Sequence, residues 1–208
     1  MLKGFYINLD SRKDRRDHFE NLKKEFPFLE NIERMSAIEN NDGLLGCCFS
    51  HIKALTQCLE IDAPYISIFE DDFTVLDDNV FCRFMDDFEK IKLDDTWKVI
   101  VLTPRGSTVP NEDIAQFKRI IDHQTATGYI VKREIIQILI DTLKESAKLQ
   151  MQGVEKNISA NDQYWKRIQL MYPFYYYKDI FAGQLIGWSN IEKRYVDYND
   201  RFIKQNLF

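Results

Sequence analysis

The sequence predicts an α/β fold built on one Rossmann-like mixed sheet flanked by helices. Two stretches carry that prediction. Gly4 to Leu9 is a short apolar strand candidate that runs through Asp10-Ser11 into the strongly charged stretch Arg12 to Glu25, a β-turn-α opening. Tyr65 to Phe69 is an apolar, β-prone run that ends abruptly in Glu70-Asp71-Asp72, as a buried strand does when it delivers carboxylates to its C-terminal edge. Further apolar runs alternate with helical patterns along the 208 residues, and no linker or internal repeat divides them. Residues 1–208 therefore read as a single domain.

Composition narrows the function. A 45% hydrophobic content is enough for a full core, and a net charge of -5 argues against a generic nucleic-acid binder. The first ten residues turn polar too soon for a signal peptide, and no stretch has the apolar length of a bilayer span, so a cytoplasmic protein is expected. Cys47, Cys48, Cys58 and Cys82 show neither paired zinc spacing nor the density of a disulfide framework. They read as buried apolar thiols in a reducing compartment.

In order along the chain, Asp10-Ser11 is the expected N-cap pair of the first helix. Arg12, Arg15 and Arg16 crowd its first turns, where the positive end of the helix dipole disfavours cations. Either an anionic ligand at the strand end or a solvated face shared with Asp14, Asp17 and Glu20 would offset that cost. Ile32 to Ile38 is a second strand, Glu39 to Gly43 a turn, and Gly46 to Glu60 a helix that packs through Cys48, Ile52, Leu55 and Leu59. Near its first turn, Ser50, His51 and Lys53 can converge on a phosphate or sugar hydroxyl, although a lone His of this kind is more often a hydrogen-bonding core residue.

After Phe69, strand alternation would place Glu70 and Asp72 on one face and turn Asp71 away. Three adjacent carboxylates repel one another, and a hard divalent cation such as Mg²⁺ or Mn²⁺ is the simplest compensation; a solvated acidic loop is the alternative. Phe73 to Leu76 is a short extension, Asp77-Asp78-Asn79 caps a helix reaching about Lys92, and Trp97 to Leu102 is a buried strand. The loop Thr103 to Pro110 precedes strands at Phe117 to Ile121 and Ala126 to Val131, in the second of which Gly128 allows a close approach. Arg133 to Lys148 is an amphipathic helix. Asp162 stands just before Tyr164-Trp165, an arrangement suited to a sugar ring stacked on an aromatic, and equally to an N-cap. Pro173 to Tyr177 is an aromatic strand, and 182–208 shows no clear period.

Four stretches in this order carry a resemblance: Tyr6-Ile7-Asn8-Leu9 with Arg12 and Asp14-Arg15-Arg16, Gly46-Cys47 with Ser50-His51, Phe69-Glu70-Asp71-Asp72, and Thr127-Gly128-Tyr129 before a helix. Together they resemble glycosyltransferase family 25, which includes bacterial lipooligosaccharide galactosyltransferases and the procollagen galactosyltransferases of animals and some large viruses. Asp162 and Gln184 with Ser189-Asn190-Ile191 are similar to that family's C-terminal elements, with Asn190 where many members carry Asp.

The resemblance implies a glycosyltransferase-A fold, a UDP-sugar donor bearing galactose or glucose, a Mn²⁺ or Mg²⁺ ion, and inversion at the anomeric carbon. It also implies an acceptor hydroxyl on a glycan or a collagen-type hydroxylysine. Residues 1–102 would form the nucleotide-sugar half and 103–208 the acceptor half. On this basis Glu70 and Asp72 hold the metal, Arg12 and Arg16 bind the nucleotide, and Asn8, Leu9 and Asp10 read base or ribose. Ser50, His51, Lys53 and Glu70 complete the donor set, and Asp162 is the general base with Asp71 as its rival. A non-catalytic nucleotide-sugar or glycan-binding module is the alternative. A metal phosphodiesterase or nucleotidyltransferase fits less well, because His18, His51 and His123 are few for such a site. Peripheral membrane contact is compatible with this reading, and the oligomeric state stays open.

Overall fold

A computed structural model describes residues 1–198 of the chain; the final stretch, for which the sequence shows no period, lies partly outside them at 199–208. The strands are β1 (Gly4–Asn8), β2 (Ile32–Ser36), β3 (Tyr65–Glu70), β4 (Phe73–Val75), β5 (Val99–Val101), β6 (Ser107–Thr108), β7 (Phe117–Ile121), β8 (Gly128–Lys132), β9 (Phe174–Tyr177), β10 (Ala182–Gln184), β11 (Gly187–Ser189) and β12 (Arg194–Val196). The helices are α1 (Lys13–Glu25), α2 (Gly43–Cys58), α3 (Asp78–Ile91), α4 (Ile136–Met151) and two single turns, α5 (Lys156–Ser159) and α6 (Asn161–Tyr164).

Eight strands form one mixed sheet in the order β2-β1-β3-β8-β5-β9-β7-β6. β1 runs parallel to both β2 and β3, and β5 parallel to β9, whereas β8 enters antiparallel between β3 and β5. The predicted extension after the acidic stretch, β4, leaves this sheet and pairs with β10. β11 and β12 form a separate hairpin.

Both faces of the sheet are covered, which is why its central strands read as continuous apolar runs. Tyr6, Phe69, Ile100 and Ile130 pack with Phe19 and Leu22 of α1 and with Phe81, Phe84 and Phe88 of α3. On the opposite face, Ile7, Ile66, Ile68, Val99, Val101 and Val131 pack with Cys48, Leu55 and Cys58 of α2 and Leu139, Ile140 and Leu143 of α4. Of the four cysteines expected to be buried, Cys48 and Cys58 are; Cys47 is half-buried and Cys82 is exposed, on the outer face of α3.

Local chemistry sets the start of each helix. α2 begins at Gly43 rather than at Gly46, because the Asp42 carboxylate caps it, accepting hydrogen bonds from Leu44 N at 2.9 Å and Leu45 N at 3.3 Å. Asp42→Ala is expected to lower stability by about 1 kcal/mol, a drop of about 2–4 °C in Tm read by thermal denaturation. The earlier start moves Ser50, His51 and Lys53 out of the first turn, where free backbone N–H groups lie, and into the helix interior. Gly46 lets α2 pass close to the chain after β2, since a Cβ there would lie 2.9 Å from Ile38 O. At Gly128 the close approach is to the Phe73 ring, which a Cβ would meet at 2.8 Å. α1 takes Arg12 at its N-cap with no side-chain cap. The expected cap residue Asp10 instead pairs with Arg34 and accepts from Ser36 Oγ at 2.9 Å.

Candidate active site

The C-terminal ends of β1, β2 and β3 open onto a cleft of about 760 Å³. The first turns of α2, the segment before β8, the α5–α6 region and residues 189–192 complete its walls. Strand C-termini at the edge of an α/β sheet are where such folds bind ligands.

The acidic stretch splits between two sides. Alternation holds through Glu70, which turns toward the α2 layer, where it lies 3.1 Å from His51 Nε2 and accepts from Cys47 Sγ at 3.7 Å and Thr127 Oγ1 at 3.4 Å. β3 ends there, and Asp71 and Asp72 belong to a turn, so the two-residue period no longer applies. Both aspartates face α1 and share one nitrogen: Arg15 Nη1 donates to Asp71 Oδ1 and to Asp72 Oδ2, each at 3.0 Å. Asp71 therefore does not point away from Asp72. Its other oxygen, Oδ2, accepts from Asn8 Nδ2 at 2.7 Å.

Arg15, which the candidate donor set omits, is thus the cation at the centre of the site. Its signal in the sequence is the crowding of three arginines at a helix start with one acid, and the aspartates after β3 are the anions that resolve it. Arg12 also lines the cleft, but its guanidinium is engaged with Asp14 at 2.9 and 2.7 Å, with Asn190 Oδ1 at 3.0 Å and with Trp188 O at 3.2 Å. Among the described residues that line the cleft, Arg16, Asp10 and Lys53 do not appear. Lys53 Nζ donates to Ser36 O at 2.7 Å, which ties α2 to the end of β2.

Leu9, Ser50 and His51 do line it. Ser50 Oγ donates to Gly46 O at 2.7 Å and accepts from Ile38 N at 2.8 Å, fixing the same close approach that Gly46 permits. His51 is buried between Glu70 and Tyr129, whose hydroxyl lies 3.2 Å from Nδ1. Asn8 is buried, holds Asp71, and takes Arg34 Nε on its Oδ1 at 2.9 Å, so it supports the acidic turn. Asp162 lines the cleft with Oδ2 accepting from Thr125 N at 3.1 Å. The rings that follow it do not form a sugar platform there. Trp165 is buried in the core with Nε1 donating to His123 O at 3.0 Å, and Tyr164 is buried with its hydroxyl on Glu145 at 2.8 Å.

Burial dominates the electrostatics. It pushes Asp72 up to about 7, with the charges of Glu70 and Asp71 adding to the rise and Arg15 opposing it. Asp71 is raised for the same first reason, against the pull of Arg15 and Asn8. Burial also acts on Glu70, but the hydrogen bond and charge of His51 and the charge of Arg15 outweigh it, and its carboxyl sits below the usual range. Asp162 is raised by burial, with Glu70 adding to the effect.

Residues 41–154, more than half of the chain, match the model of glycosyltransferase family 25, described as an LPS biosynthesis protein. The chain belongs to this family. That family is one of glycosyltransferases. The structure of a glycosyltransferase involved in glycosylation of the major capsid of PBCV-1 covers 100% of this chain and 99% of its own at 10% identity, with a TM-score of 0.54. That likeness identifies the fold as the glycosyltransferase-A arrangement. Mannose-1-phosphate geranyltransferase from Thermus thermophilus covers 86% of this chain at 8% identity and a TM-score of 0.44, and this chain spans 60% of its length. UDP-glucose pyrophosphorylase complexed with UDP-glucose covers 85% of this chain and 72% of its own at 12% identity and a TM-score of 0.45. No curated protein matches. Among the described residues no helix of this glycosyltransferase is long and apolar enough to cross a membrane.

A divalent cation fits the residues present. Asp72 Oδ1 is buried with no hydrogen bond; Gln184 approaches closely enough to lower the carboxyl's pKa slightly but closes no bond of ordinary geometry on that oxygen. Asp71 and Asp72 share one guanidinium, and the charge of Glu70 on their other side adds to the repulsion at Asp72, which leaves the turn short of positive charge. Asp72 Oδ1 and the loosely held Glu70 Oε2 are hard oxygen donors that could take such an ion.

Proposed function

We propose that this chain is an inverting, metal-dependent hexosyltransferase that moves galactose or glucose from a UDP-sugar to a hydroxyl of a glycan acceptor. One observation carries the reading: a buried carboxylate oxygen of Asp72, without a partner, lies in a cleft that Asp162 also lines. Mn²⁺ or Mg²⁺ held by Asp72 and Glu70 would supply Lewis-acid neutralisation of the departing diphosphate. Arg15, fixed on Asp71 and Asp72, holds the acidic turn in one geometry and adds positive potential beside it.

Asp162 is the base. Its carboxyl is raised by burial, which suits it to take the acceptor proton as the new bond to the anomeric carbon forms and the bond to diphosphate oxygen breaks. Asp71 is the weaker rival, because Arg15 and Asn8 engage both its oxygens. Leu9, the end of β2 and residues 189–192 all line the cleft, Asn190 tied to Arg12 at 3.0 Å.

The test is a panel of UDP-sugars, with and without Mn²⁺ and with oligosaccharide or hydroxylysine acceptors, read as release of UDP. One donor is expected to give release that needs both the cation and an acceptor. Equal release without an acceptor would make the protein a hydrolase, and binding without release in every combination would favour the non-catalytic module.

A further inference from the structure

We propose that Cys47, His51 and Glu70 form a binding site for a thiophilic divalent cation, Zn²⁺ above all, distinct in chemistry from the oxygen site at Asp72. Cys47 and His51 stand four residues apart on α2, so they share one face of the helix, and that face meets the last residue of β3. The three donor atoms all lie within 4.8 Å of one another. Cys47 Sγ is 3.7 Å and His51 Nε2 3.1 Å from the same Glu70 oxygen. A tetrahedral zinc ion with Zn–S near 2.3 Å and Zn–N or Zn–O near 2.0–2.2 Å requires ligand-to-ligand edges of about 3.3–3.6 Å. The two edges to Glu70 differ from that range by a few tenths of an ångström, and the Cys47–His51 edge, at most 4.8 Å, closes onto the ion by rotation of the two side chains.

The surroundings are those of a ligand set held in place. Tyr129 Oη, 3.2 Å from Nδ1, orients the imidazole so that Nε2 faces Glu70, the outer contact that metal-bound histidines commonly have. Asn161 Nδ2 donates toward Cys47 Sγ at 3.7 Å and Thr127 Oγ1 toward the other Glu70 oxygen at 3.4 Å. One sulfur, one imidazole nitrogen and one carboxylate select Zn²⁺ over Mg²⁺ or Mn²⁺, which prefer oxygen alone. Three protein ligands leave a fourth position, and all three residues line the donor cleft. Binding replaces the thiol proton of Cys47 by the metal and releases that proton to solvent. Because Glu70 serves both sites, Zn²⁺ and the cation proposed for transfer exclude each other there. That consequence rests on the functional reading above, whereas the zinc site does not.

Titration of the 208-residue chain with Co²⁺, followed by absorption, separates the two. The expected result is a near-ultraviolet thiolate-to-cobalt charge-transfer band with the intense visible bands of a four-coordinate ion, saturating at one equivalent and abolished by Zn²⁺ but not by Mg²⁺. Cys47→Ser should remove the charge-transfer band and Cys82→Ser should leave it. Absence of the band in the unmodified protein, or its survival in Cys47→Ser, overturns the proposal. If Cys47→Ser fails to fold, alkylation of the unmodified protein decides: Zn²⁺ should slow labelling of Cys47 at least tenfold and leave that of the exposed Cys82 unchanged, and equal labelling of Cys47 with and without Zn²⁺ overturns it.

Discussion

Asp72→Asn is expected to lower sugar transfer by about a thousandfold while the protein stays folded and, at alkaline pH, becomes more stable than the unmodified chain. Asn keeps the size of the side chain and can still accept from Arg15, but it offers no anionic oxygen to a cation. The stability half follows from linkage. The Asp72 carboxyl holds its proton in the native state up to about pH 7 and in the unfolded chain only to its ordinary value of 3.8. Between those values the native state binds more protons, so this group's contribution to stability falls as pH rises from about 4 to 7 and levels off above. Asn at this position does not titrate. Urea midpoints should therefore converge at pH 4.5 and separate at pH 8, with Asp72→Asn the higher; added Mn²⁺ should raise the midpoint of the unmodified protein at pH 8 and leave the variant's unchanged. Undiminished turnover in Asp72→Asn would sink the metal assignment.

Arg15→Met should be the most destabilising single change at the site, by about 3–5 kcal/mol at pH 8, because it leaves two buried aspartates without their cation. The side chains involved are only 12%, 9% and 13% exposed, so solvent cannot replace the lost charge. Methionine retains the apolar stem, which confines the change to the guanidinium. Without Arg15 both carboxyls move further up and stay protonated at mild acidity, so the deficit should shrink markedly at pH 5. A deficit of equal size at pH 5 and pH 8, measured by urea denaturation, would assign Arg15 a packing role instead.

The residues that carry the longest signals in the sequence are those whose structural place it shows best. Gly4 to Leu9 and Tyr65 to Phe69 are buried on both faces and become adjacent parallel strands, which puts the ends of both runs at one cleft. The limits are equally physical. Alternation is a property of strands and lapses where β3 becomes a turn, so the facing of Asp71 could not be read from residue spacing. Choosing Arg15 over Arg16 needs the start of α1 to within one residue, since neighbours on a helix differ by about 100°. The position of His51 within α2 depends on a cap at Asp42 that lies inside an apparent turn. β6, β10, β11 and β12 are two or three residues long and exist through tertiary pairing, too short to leave a period.

The insertion of β8 between β3 and β5 also sets an order of events during synthesis. The strand in the middle of the sheet is made after both of its neighbours, so a nascent chain that has passed β5 but not reached Gly128 presents β3 and β5 as unpaired edges. Glu70 lacks Thr127, and His51 lacks Tyr129, until that strand arrives. Until residue 132 is made these two edges and the acid cluster are incomplete, and β5 waits further for β9 at Phe174–Tyr177.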